Sequence, residues 1–246
     1  MKGLLKLIQE RQSLRGPFDP NRPVAKQDLM QVLEAGRWTP TAHNMQNFEI
    51  IVVDDKKLLQ AIGKIKSPIS ETFIRENYQQ LSFSEEELLR KKVGILGTMF
   101  PPAMRTPGAK LDKATDKKMA SRFGSLVQTS PVLLIVLYDP NKRAPASEGD
   151  FLGIISLGCL MENMWLMASS LGIGFHILSF LGSDPVEKEV KRILNIPKHF
   201  RIAYAVRMGY PPSPPATSSK PAKPLRVRRD IPTFTHHNRF GNKGIE

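Results

Sequence analysis

The stretch "PVLLIVLYD" at 131–139 constrains this chain more than any other. Its eight apolar residues stand together with little polar alternation, a length and pattern that suit a strand. A strand with one wet face alternates, whereas one without alternation is buried on both faces. The spacing elsewhere predicts what accompanies that strand. Leu4, Leu7 and Ile8 predict a helix from residue 4 to about 10. Residues 25–37 predict another, with Leu29, Val32 and Leu33 on one face. "RWTPTAHNMQN" interrupts it and "FEIIVVDD" reads as a short strand. Asp54 or Asp55 is expected to cap a helix carrying Leu58, Leu59 and Ile62.

Ser84 and Glu87 form a capping box for a helix expected to run to about residue 95, "FPPAMRTPGAK" reads as a loop, and a polar helix follows over roughly 112–128. Residues 150–171 make the longest helix, apolar nearly all round, which suits a core or a subunit interface; Gly172 and Gly174 are expected to end it. "FHILSFLG" follows as a strand or extended loop. Ser183 or Asp184, with Pro185 inside the first turn, starts a helix that stops near Asn195, and "RIAYAVRMGYP" is a further strand. "PPSPPATSSKPAKP" has the composition of a linker, before a basic, polar tail. Strands and helices mix without strict alternation, which predicts an α+β fold.

Several chemistries are set aside by absence. No glycine-rich phosphate cradle and no G-x-S-x-G elbow occurs. His43, His176 and His199 are isolated, and His236 and His237 are adjacent in the tail, so no metal site is expected. Cys159 is the only cysteine, excludes an internal disulfide, and reads as a buried inert thiol. The net charge of +13 attracts polyanions. The basic residues are nevertheless dispersed apart from the tail cluster, aromatics are sparse, and no nucleic-acid-binding module is legible. The apolar region 151–180 is interrupted by Glu162 and Asn163, and "MKGLLKLIQERQ" lacks the features of a signal peptide. A soluble cytoplasmic protein without membrane or nucleic-acid partners is the expectation.

Polar residues at breaks between apolar elements remain. In "ERQSLRGPFDP", an extended chain from Arg11 would place Arg11, Ser13 and Arg15 on one side. Two guanidiniums and a hydroxyl suit a phosphorylated ligand; the plain alternative is an exposed basic helix end. "PTAHNMQN" carries Thr41, Asn44 and Gln46, or else is only a turn. "HILSF" carries Ser179 at what is otherwise a strand end, and "RVRR" is otherwise a solvated tail.

In this order the four stretches resemble the flavin-dependent nitroreductase family. "RQSLR" resembles its N-terminal R-x-S-x-R, and "EAGRWTPTAHNMQNFEIIVV" its A-x-x-A-P-S-x-x-N-x-Q-P-W segment. "SPVLLIVLYD" resembles the central strand, "SLGCLMENMWLMASSLGIGFHILSF" the long helix and the loop beside the flavin, and "ILNIPKHFRIAYAVRMGYP" the close of the core. The resemblance covers about residues 4–240. Departures are Asn47-Phe48 for Pro-Trp, Thr41 for a common serine, one inserted residue between Arg15 and Phe18, and a longer 66–124 region.

The resemblance implies a central mixed, mostly antiparallel sheet flanked by helices, in an intertwined homodimer. It implies an FMN-binding domain over 1–210, a candidate lid at 66–124, and an extension over 211–246 completing the dimer and the flavin site. FMN would bind tightly through Arg11, Gln12 and Ser13, with Arg226 and Arg228 joining at the phosphate. Arg15 would face the pyrimidine edge of the ring. Thr41, Asn44 and Gln46 would contact ring or ribityl chain, and the backbone of Ile177, Leu178, Ser179 and Phe180 would approach N5. The implied activity is ping-pong hydride transfer from NAD(P)H to a nitroaromatic, quinone or similar small acceptor, with no side chain marked as acid or base. The alternatives are a reductive dehalogenase or flavin-fragmenting relative on the same fold and, in another class, a basic nucleic-acid-binding protein.

Overall fold

The computed structural model describes residues 3–66, 75, 80–99, 124–145, 149–212 and 225–243. In chain order its elements are α1 (Leu4–Glu10), α2 (Lys26–Arg37), β1 (Glu49–Val53), α3 (Lys56–Gly63), β2 (Ser82–Phe83), α4 (Glu85–Lys91) and β3 (Ile95–Leu96). There follow β4 (Val132–Tyr138), α5 (Phe151–Ser170), β5 (Gly174–Leu178), α6 (Val186–Ile193), β6 (Arg201–Gly209) and α7 (Ile231–Phe234). The chain divides into two compact units, Met1–Ser67 with Ser121–Pro214, and Pro68–Ala120 with Pro215–Glu246.

The first unit is built on a sheet of order β1-β4-β6-β5, antiparallel at every pairing. The absence of alternation in β4 has its predicted consequence: Leu133, Leu134, Ile135 and Val136 are all 0% exposed. Leu134 and Val136, with Val206, Met208 and Phe175, meet Val32 of α2 and Leu160 and Met164 of α5. Leu133, Ile135 and Leu137, with Ala205 and Leu178, meet Leu59 and Ile62 of α3 and Val186 and Val190 of α6. Helices on both faces thus supply the cover that β4 requires. Truncating Leu134 to alanine would cost about 2–5 kcal/mol, the usual range for a buried leucine.

Local chemistry sets the element ends. Asp55 caps α3, its Oδ1 accepting from Lys57 N at 2.7 Å and Leu58 N at 2.9 Å. Residues 124–128 are helical, and Gly124 meets Gly63 so closely that a Cβ on Gly124 would lie 2.2 Å from the Gly63 carbonyl oxygen. The remainder of the helix expected over 112–128, the loop at 100–110 and most of the proline-rich linker lie outside the described residues. Two expected ends are corrected. Gly172, left-handed at φ 71°, ends α5 alone, and Gly174 already belongs to β5. Pro185 is itself the N-cap of α6, ahead of the first turn, and no side chain caps that helix. The expected stop at Asn195 is close: α6 ends at Ile193, and Asn195 turns the chain at φ 53°.

In the second unit the capping box at α4 forms as predicted, with Ser84 Oγ accepting from Glu87 N at 3.2 Å and Glu87 Oε2 accepting from Ser84 N at 3.3 Å. That helix stops at Lys91, short of the expected residue 95, because Lys92 turns left-handed at φ 54° and Gly94 follows at φ 90°. The turn returns Ile95 and Leu96 to pair in parallel with Ser82 and Phe83. Lys92 Nζ binds Asp230 at 2.5 Å, ahead of the short helix α7.

Candidate functional site

Arg11 leaves α1 in an extended conformation, φ −54° and ψ 134°. The next residues lie along the free edge of β5, where Ser13 bridges Phe175 in parallel and Leu14 N donates to Phe175 O at 3.0 Å. The alternation read from "RQSLR" is therefore real backbone geometry. The Arg11 guanidinium lies 4.3 Å over the Trp165 ring, with Nε 3.0 Å from Glu162 Oε1. Trp165 in turn stacks on Phe175 at 5.3 Å. Arg11 Nε and Trp165 Nε1 are both buried and have no hydrogen-bond acceptor among the described residues, so the Glu162 contact is ionic without being an aligned hydrogen bond. Trp165 Nε1 thus lacks an acceptor, while Arg11 Nε faces the Glu162 carboxylate. Gln12 and Arg15 are exposed and Ser13 is half-buried.

Thr41, Asn44 and Gln46 gather in the turn between α2 and β1. Thr41 Oγ1 accepts from Gln46 N at 3.1 Å, and Gln46 Nε2 donates to Asn44 Oδ1 at 3.2 Å. Ala42 N donates to Ser156 Oγ of α5 at 3.2 Å, which docks the turn on that helix. His43, Asn44 and Gln46 all have positive φ, 50°, 53° and 46°. Such backbone outliers in side-chain-bearing residues concentrate where ligands are held. Asn47, one of the departures from the family pattern, pins the turn to the end of β4, where its Nδ2 donates to Asp139 O at 3.1 Å and Lys142 O at 2.8 Å.

Ile177 and Leu178 end β5, and Ser179 and Phe180 enter a 3-10 turn, Ser179–Gly182. Leu178 is buried while Ser179 is exposed. Arg226 and Arg228 belong to the second unit; Arg228 Nη1 donates to the neighbouring Val227 O at 2.7 Å, and Arg229 holds Thr233 O at 2.6 Å. The described residues contain no group of histidine, cysteine and carboxylates able to hold a metal.

Sequence reasoning missed a second cationic locus. Arg207 of β6 is fully buried, and its Nε, Nη1 and Nη2 find no hydrogen-bond partner among the described residues. Its guanidinium lies 4.1 Å over the ring of buried Phe18. Phe18 occupies space left by two facing glycines: a Cβ on Gly209 would fall 2.6 Å from its ring, and one on Gly174 would fall 3.0 Å from it. Across the strand pair His176 faces Arg207, and burial, then the charges of Arg207 and Arg15, push its pKa down to about 4. Burial also lowers Arg207 to about 10, which leaves it charged at neutral pH. The signal was present in "AYAVRMGY", where an arginine interrupts an apolar strand.

Against known proteins, the model of the nitroreductase family matches residues 8–210. An NADPH-dependent oxidoreductase of Staphylococcus aureus strain USA300 is 21% identical over 220 residues, covering 89% of this chain and 68% of the relative. An FMN-dependent nitroreductase from Clostridium difficile R20291 has the same fold, with a TM-score of 0.56 at 15% identity over 96% of this chain and all of its own. So does iodotyrosine deiodinase, solved with FMN and 3-iodo-L-tyrosine, with a TM-score of 0.55 at 21% identity over 93% of this chain and 99% of the other.

Proposed function

The chain belongs to the nitroreductase family, and from that premise we propose that it is an FMN-dependent NAD(P)H oxidoreductase acting on a nitroaromatic, quinone or similar small acceptor with ping-pong kinetics. The observation that carries the reading is the extended run from Arg11 along the edge of β5, with the Arg11 guanidinium held over Trp165 and by Glu162. A guanidinium has five N–H groups, so Glu162 at Nε leaves the Nη groups of Arg11 for an acceptor-rich phosphate. Glu162 would hold the Arg11 fork in place while Trp165 supports its face. Arg226 and Arg228 would join at the phosphate, and Arg15 would meet the pyrimidine edge of the ring. The strained turn would present Thr41, Asn44 and Gln46 to the ring or ribityl chain, and the backbone of residues 177–180 would line its N5 side. Bound tightly there, FMN would supply hydride acceptance from NAD(P)H and two-electron delivery to the acceptor. No residue of the chain is assigned as acid or base.

Homodimer formation belongs to the same reading. Phe151, Ile154 and Ile155 of α5 are 66%, 58% and 45% exposed, and Leu4, Leu5 and Ile8 of α1 are also exposed. α5 is long and apolar enough to cross a bilayer by composition, but its Leu160, Met164 and Ala168 pack in the core. A second copy covering its outer residues accounts for this apolar surface. The 66–124 region would shape the acceptor side, the 211–246 extension would complete the dimer, and the cytoplasm would be the site of action. The test is the visible spectrum of the purified protein before and after anaerobic NADPH or NADH. Flavin bands that bleach are expected; no bands after reconstitution with FMN would overturn the reading. Turnover with halogenated in place of nitro or quinone acceptors would move it to a reductive dehalogenase.

A further inference from the structure

An arginine with three unpartnered nitrogens inside a protein is expensive, because burial removes water from a charge and no hydrogen-bond partner among the described residues replaces it. The cation–π contact with Phe18 offsets part of that cost but gives the guanidinium N–H groups no acceptor. Arg207 lines a groove of about 1520 Å³ that lies within the first unit. The charged residues along that groove are Arg15, Arg22, Lys26, Lys56 and Arg207 against a single carboxylate, Asp54. Arg22 is itself stacked 3.6 Å over Tyr210 at the wall.

We propose that this groove is an anion site, with Arg207 as its floor and Arg15 as its rim, that takes the phosphate or carboxylate group of a small molecule other than the flavin. The planar guanidinium fork matches an oxyanion in a bidentate manner, and the Phe18 face gives the guanidinium a flat support. Arg15, Gly16 and Pro17 are exposed and line the same groove as Arg207. The site shares Arg15 with the proposed flavin site, but its floor, Arg207, is distinct from Arg11, Trp165 and Ser13.

The test is isothermal titration of FMN-loaded and FMN-free full-length protein with sodium phosphate and with benzoate, at constant ionic strength. Saturable one-site binding is expected in both forms, weakened about tenfold or more in Arg207→Met, weakened to a lesser degree in Arg15→Ala, and unchanged in the exposed control Lys188→Met. Tighter phosphate binding identifies a free or esterified phosphate as the source, and tighter benzoate binding identifies an organic acid. If Arg207→Met does not fold, the NMR titration midpoint of His176 in the unmodified protein serves. An anion beside Arg207 and Arg15 should raise it, and a midpoint unmoved by saturating phosphate would overturn the site. Absence of binding, or equal binding in wild type and Arg207→Met, would do the same. Binding lost once FMN is loaded would reassign Arg207 to the flavin phosphate and refute a separate site.

Discussion

Two arginines on one strand are treated in opposite ways. Arg201, at the start of β6, meets Glu187 of α6 with Nε 3.0 Å from each carboxylate oxygen and Nη2 3.0 Å from Oε2. The carboxylate is only 4% exposed while the arginine is 50% exposed, and Ile202 N also donates to Glu187 Oε1 at 2.8 Å. Arg207 lies six positions on, wholly buried, with no such partner among the described residues. Where the fold uses an arginine for structure, it supplies the counterion and lets the cation reach water. At Arg207 it does neither, which is the mark of a charge awaiting something from outside the chain.

The comparison breaks most visibly at Glu187. Glu187→Ala strips Arg201 of its partner and leaves the Ile202 N–H buried without an acceptor, so a loss of about 3 kcal/mol is expected in urea unfolding. A loss below about 0.5 kcal/mol, the ordinary surface range, would mean the paired arginine matters no more than a surface charge. Arg11 is the intermediate case, half matched by Glu162. Arg11→Ala should weaken FMN binding by about 1.5–3 kcal/mol, measured by flavin fluorescence on dilution; unchanged occupancy would remove Arg11 from the phosphate site. Arg207→Met should raise stability by about 1 kcal/mol in phosphate-free buffer, because it removes an uncompensated charge at similar volume. A lower melting temperature would show that Arg207 has a structural partner after all.

A further effect is in pH. His176 is depressed to about 4 from an ordinary value of 6.5. The unfolded chain therefore binds a proton in that interval that the folded chain refuses. Its contribution to stability is complete above about 6.5 and lost as pH falls toward 4. His176→Phe should flatten that part of the melting-temperature profile.

The same contrast explains what could be read in the residues alone. The two-sided burial of residues 133–136 was legible because alternation is a local property, and so were the caps at Asp55 and Ser84, whose acceptor and donor lie within three residues. The stop of α4 at Lys91 was not, since nothing in a lysine announces a left-handed backbone; Gly94 was the nearer clue. For the site, alternation in "RQSLR" foretold the extended segment along β5. It could not foretell that Glu162 and Trp165, distant in sequence, would converge on Arg11. Arg207 escaped because a charged residue in a strand normally marks the wet face, and here only the three-dimensional packing shows that it points inward.

Phe18 lies in the hollow made by Gly174 and Gly209, and this ties three distant positions into one unit of variation. Alanine at Gly209 would drive a methyl into the ring, and a smaller residue at position 18 would leave facing glycines over a void beneath Arg207. Drift at either glycine is blocked twice over, at Gly174 by Leu14 as well as Phe18 and at Gly209 by Pro131 as well as Phe18. A relative that has lost the aromatic should therefore keep both glycines and, with the support beneath it gone, carry something other than arginine at the position of Arg207.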